Sequence, residues 1–155
     1  GEALKNADKV LFDSRVSSDI RVEAEYVKAK SYMATSRREE AMKLMEKLAG
    51  DVSGAYGAEA AYTLILDCYD KGEFSVMENK VYEFADSHSP HVYWLAKSFI
   101  VLGDSFVDRD ELGQAKATFE SVRDEYKPAG ADDDVLDNVR MRLKKIEEVS
   151  VNQQN

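Results

Sequence analysis

The chain has 155 residues, one cysteine, two prolines and a formal net charge of -9, within the usual size of one domain. It holds no run of about 18 or more apolar residues that could cross a bilayer, and no basic segment leads into an apolar stretch as in a signal peptide. Residues 51–140 carry the acid excess; it argues against nucleic acid and against an anionic membrane surface, both of which need clustered Lys and Arg, and leaves open charge for solubility or a basic partner.

Apolar residues recur at steps of three and four, which is helical spacing. Glu2 to Phe12 carries Ala3, Leu4, Ala7, Val10 and Leu11. It reads as the second helix of a repeat whose first helix is cut away, so the chain reads as a piece of something longer. Ser17, Ser18 and Asp19 offer an N-cap for a helix to about Thr35, with Val22, Tyr26, Ala29, Tyr32 and Met33 as its apolar positions. After a turn at Ser36–Arg37, Glu39 and Glu40 open a helix with Ala41, Leu44, Met45 and Leu48 on one face; acids in a first turn suit the helix dipole. Gly50 to Gly57, with glycines at 50, 54 and 57, reads as a linker. A helix from about Ala58 to Asp70 stops at Gly72, a natural residue just past a helix end. Phe74 to Asp86 is its partner, ended by Ser89–Pro90 because the residue before proline is pushed out of the α region. Pro90 then begins or precedes a helix running to about Asp108, and Glu111 to Tyr126 pairs with it, ended by Lys127–Pro128–Ala129–Gly130. Asp132, Asp133 and Asp134 precede a last helix with Val135, Leu136, Val139, Leu143, Ile146 and Val149, and Ser150–Asn155 reads as a frayed tail. The expectation is all-α: eight helices and no strand.

The chain also matches itself at a spacing of 38 residues: Ala61 falls on Phe99, Leu64 on Leu102, Cys68 on Phe106, Phe74 on Leu112, Met77 on Ala115, Val81 on Phe119, Phe84 on Val122 and Pro90 on Pro128. A period between about twenty and fifty residues signals stacked supersecondary units, which present surfaces to partners. The third unit, with Phe99, Leu102, Gly103 and Phe106 followed by Leu112, Ala115, Phe119, Val122 and Pro128, resembles a tetratricopeptide repeat. Its Leu102–Gly103 pair and Ala115 occupy the small sites where two helices touch. The second unit keeps Gly72, Phe74 and Pro90 but has Met77 at the small site. The first keeps Ala29, Tyr32, Ala41, Met45 and Leu48 without the turn glycine or closing proline. The resemblance implies a right-handed α-solenoid of helical hairpins: a half repeat at 2–16, repeats at 21–57, 58–95 and 96–130, and a capping helix at 132–149. The long spacing and the Tyr126–Lys127–Pro128 ending resemble repeats of large bacterial cell-envelope proteins of this family, and only that resemblance implies an envelope or periplasmic setting.

In this family the first helices line a concave face that holds peptides or partner helices. Carried over position by position, the resemblance implies a groove of Tyr26, Lys30 and Met33 in the first unit, Tyr62, Leu66, Tyr69 and Asp70 in the second, and Ile100, Asp104 and Val107 in the third. Asp70 and Asp104 disfavour the carboxylate clamp some members use. Apolar anchors among acids suit a protein or peptide with apolar and basic residues; packing against neighbouring repeats of a parent chain is the competing reading, as it is for Tyr93 and Trp94. Self-association through the chain ends, or their packing on other repeats of a longer parent chain, is the alternative function. No cofactor is implied. Cys68 reads as a buried hydrophobe, His88 and His91 as a loop pair lacking further zinc ligands, and Asp132–Asp134 as helix capping rather than a calcium loop. No phosphate-cradling or nucleophile motif is present, so a non-catalytic scaffold is expected.

Overall fold

The computed structural model describes residues 1–128 and 133–155. The expected terminator Ala129–Gly130 and the first acid of the triplet, Asp132, lie outside the described residues. Among those described are eight helices and no strand: α1 (Glu2–Phe12), α2 (Ser18–Ala34), α3 (Arg38–Leu48), α4 (Ala55–Asp70), α5 (Phe74–Asp86), α6 (Val92–Asp108), α7 (Leu112–Glu125) and α8 (Val135–Gln154). They form two compact units, Gly1–Leu64 and Ile65–Asn155, with α4 contributing to both.

In the first unit α2 packs against both α1 and α3. Its core joins Ala29 and Tyr32 of α2, Ala41, Met42, Met45 and Leu48 of α3, and Ala60 and Leu64 of α4. In the second, α6 packs against α5, α7 and α8, and α7 also meets α8. Leu102 and Phe106 of α6, Ala115, Phe119 and Val122 of α7, and Val135, Val139 and Ile146 of α8 are all buried. A Cβ on Gly103 would lie 2.4 Å from Cε1 of Phe119. The expected small site is therefore a real close approach of α6 to α7.

Three turns share one geometry. The N–H groups of Arg37, Glu73 and Glu111 donate to the carbonyls of Tyr32, Cys68 and Phe106 at 2.9, 2.9 and 2.8 Å. Between each pair stands one residue of positive φ: Ser36 at 61°, Gly72 at 73° and Asp110 at 59°. This is the six-to-one closure of a helix end around a left-handed residue. Each turn residue then starts the next helix, because the carbonyls of Arg37, Glu73 and Glu111 accept from the N–H of Ala41, Met77 and Ala115 at 3.0 Å each. Only the middle turn announces itself by a glycine.

Two boundaries, and the end signals of two further helices, differ from the sequence reading. Helix α4 begins at Ala55, so Gly57 belongs to the helix and not to a linker. It is buried, and a Cβ there would stand 1.8 Å from the Asp51 carbonyl oxygen; close approach, not flexibility, calls for glycine. Helix α5 ends at Asp86, with His88 at φ 55°, so a left-handed residue stops it before Pro90 can act. Ser17 holds the N-cap position of α2 without a side-chain capping bond. Helix α8 continues through Ser150, whose hydroxyl bonds the Ile146 carbonyl at 3.0 Å, to Gln154. No breaker residue stands there to stop it.

Candidate functional site

The residues implied as a groove are taken unit by unit. In the first, Tyr26 of α2 stacks on Tyr56 with ring centroids 4.5 Å apart. The Lys30 ammonium lies 5.8 Å from the Tyr26 ring and 3.7 Å from the Glu59 carboxylate. Burial, reinforced by Glu59, pushes the Tyr26 phenol up to about 12. Met33 is half-buried against the core, and Tyr62 is half-buried on α4.

In the second unit Leu66 is half-buried and Asp70 exposed at the end of α4. The Tyr69 hydroxyl donates to Oδ2 of Asp108 at 2.6 Å, and its ring lies 6.1 Å from that of Phe74. Burial first, then Asp108, hold its phenol well above the ordinary tyrosine value. Ile100 is only 5% exposed, so the structure places it in the core and not on an open face. Asp104 accepts from Nε and Nη2 of Arg142 on α8 at 2.7 and 3.0 Å, a two-point grip typical of guanidinium and carboxylate. Val107 is exposed and lines a cleft of about 440 Å³ with Leu112, Phe119, Met141, Lys145 and Val149. Lys30, Tyr69 and Asp104 thus already bridge helices within this chain. Leu66, Asp70 and Val107 remain wholly or partly open to solvent.

The sequence reading missed Arg142, Met141 and Lys145. A signal existed for the first: Arg142 stands 38 residues after Asp104, one repeat length on and opposite in charge. Arg109 was also missed. It lies 5.2 Å from the Phe74 ring and 4.8 Å from the Phe106 ring while donating to Glu78 at 2.6 Å, tying α6 to α5.

The acids before α8 divide their work. Asp133 accepts from the Val135 N–H at 3.0 Å and from the Tyr126 hydroxyl, so it does the capping. Asp134, at the N-cap position, makes no side-chain cap; its carboxylate takes Lys97 at 2.8 Å and the Tyr93 hydroxyl at 3.0 Å. Tyr93 meets Trp94 edge-on at 5.0 Å. Lys97 beside it holds the Asp134 carboxyl below the usual range.

Cys68 is buried and unbridged, and burial raises its thiol. Among the described residues no group of three or more His, Cys, Asp or Glu could hold a metal ion, and no helix is long and apolar enough to cross a membrane. Every buried side-chain nitrogen and oxygen among them has a hydrogen-bond partner. Comparison with models of known protein families, with curated proteins and with solved structures finds no match for this chain.

Proposed function

We propose that this protein is a non-catalytic interaction scaffold, a right-handed α-solenoid of tetratricopeptide-like hairpins that binds a peptide or partner protein on the face of its first helices. The observation that carries the reading is the threefold turn, with left-handed residues at Ser36, Gly72 and Asp110, the last two standing 38 residues apart as in the sequence period. One supersecondary unit has been used three times, and stacked units of this kind expose extended binding faces. In the second unit the open face combines Leu66 and Tyr69 with Asp70 and Asp108. Apolar anchors ringed by acids suit a ligand with apolar side chains flanked by Lys or Arg, the acids speeding encounter and the anchors setting the off-rate.

Selection of a random peptide display library on the immobilised protein tests this. Enriched peptides should pair hydrophobic residues with Lys or Arg, and their binding should weaken as salt rises. An Asp70→Lys, Asp108→Lys variant with an unchanged helical spectrum should lose them by about tenfold or more. A library that yields no enriched sequence, or peptides indifferent to the double variant, would remove this face from consideration.

A further inference from the structure

Each unit has an open apolar depression, and the net charges lining the two are opposite in sign. In the first unit α1 and α2 line a shallow depression of about 370 Å³ with Ala3, Val10, Ile20 and Val27, and the charged residue lining it is Glu23. Ile20 is 50% exposed, and Glu23 forms no ion pair among the described residues. In the second unit the cleft beside α8 is lined by Val107, Leu112, Met141 and Val149. Met141 is 59% exposed. Asp104 and Arg142 neutralise each other there, and Lys145, which forms no ion pair among the described residues, leaves the rim positive.

We propose that the α1–α2 face of one copy docks into the α6–α8 cleft of a second copy, with Glu23 approaching Lys145. In stacked helical repeats, amphipathic hairpins bury their open faces against a next hairpin. The choice of occupant follows from charge. Pairing either face with itself sets Glu23 against Glu23 or Lys145 against Lys145, which is penalised; head-to-tail pairing sets acid against base. Such a contact is heterologous: it joins copies beyond a pair, into rings where the rotation closes and open chains where it does not.

Sedimentation velocity of the full chain at low salt, from micromolar to millimolar protein, is the test. The weight-average mass should rise steadily with concentration and fall back as salt is added. Glu23→Lys and Lys145→Glu, both at exposed positions, should each weaken association by about tenfold or more, and mixing the two variants should restore it, because each then offers the charge the other lacks. Ile20→Asp and Met141→Asp should weaken it without rescue on mixing with each other. A wild-type chain that stays monomeric throughout overturns the proposal. So does association that ignores both charge reversals, or that the mixture of charge variants fails to recover. Peptide capture by the Leu66–Tyr69 face is unaffected by these variants, so this contact and that face stand or fall separately.

Discussion

At the scale of single residues, glycine does two different jobs in this chain. Gly72 sits at φ 73° with nothing within 4 Å of the position of a Cβ. A methyl there meets only the backbone's reluctance to turn left-handed, about 1–2 kcal/mol. Gly57 has ordinary helical φ but its missing Cβ makes room for the Asp51 carbonyl 1.8 Å away; overpacking against main chain costs about 2–3 kcal/mol. Urea unfolding should therefore rank Gly57→Ala as more damaging than Gly72→Ala. At the equivalent turn position Ser36→Gly should stabilise by a few tenths to about 1 kcal/mol, since the strain relieved exceeds the entropy Gly adds to the unfolded chain. Equal losses at Gly57 and Gly72 would mean that close packing is not what Gly57 provides.

At the scale of elements, α8 adds polar ties to its apolar stripe. Val135, Val139 and Ile146 are buried, yet Met141 and Val149 remain exposed, so part of the stripe stays in water. The Arg142–Asp104 and Lys97–Asp134 pairs fix its position along α6. Both pairs are partly solvated, and such an interaction is worth about 1 kcal/mol or less. Arg142→Ala should raise amide exchange along α8 by about fivefold while leaving α6 and α7 protected. Lys97 lowers the Asp134 carboxyl, so its contribution is present above the unfolded carboxylate value of about 3.9 and is lost as pH falls through the lower folded value. Loosening of α8 should accordingly precede loss of total helix content in acid.

At the scale of the whole molecule, four tyrosines are held protonated beyond their usual range: Tyr26, Tyr69, Tyr93 and Tyr126, in each case by burial first and then by a neighbouring carboxylate. In alkali the folded state keeps these protons where the unfolded chain, titrating near about 10, has released them. Stability is then complete below that unfolded value and falls as pH climbs toward the raised folded values. Native absorbance at 295 nm should show tyrosine ionisation delayed relative to urea-unfolded protein, with Tyr26 titrating near about 12, and the urea midpoint should drop over the same interval. Coincident native and unfolded titrations would show that these hydroxyls are not engaged as described.

Helix number and the approximate spans were legible without coordinates, because steps of three and four in apolar residues persist from Leu4 to Val149 and because a buried face admits few polar residues. Gly103 and Ala115 were named as close-contact sites by the family resemblance, and at Gly103 the Phe119 ring fills the space a Cβ would take. The residues proposed for binding were less legible. Period alone marks which side of a helix Ile100, Asp104 and Val107 occupy; whether that side meets solvent depends on what packs there. Only the tertiary structure decided that Ile100 is enclosed, that Asp104 is spent on Arg142 and that Val107 stays open; the second outcome rests on the approach of α8 to α6. The same holds for Ser36 and Asp110, whose left-handed turns carry no compositional mark, and for Gly57, whose reason lies in a carbonyl six residues earlier. Local periodicity sets which atoms are apolar on a face; the position of the neighbouring helix sets which of them meet water.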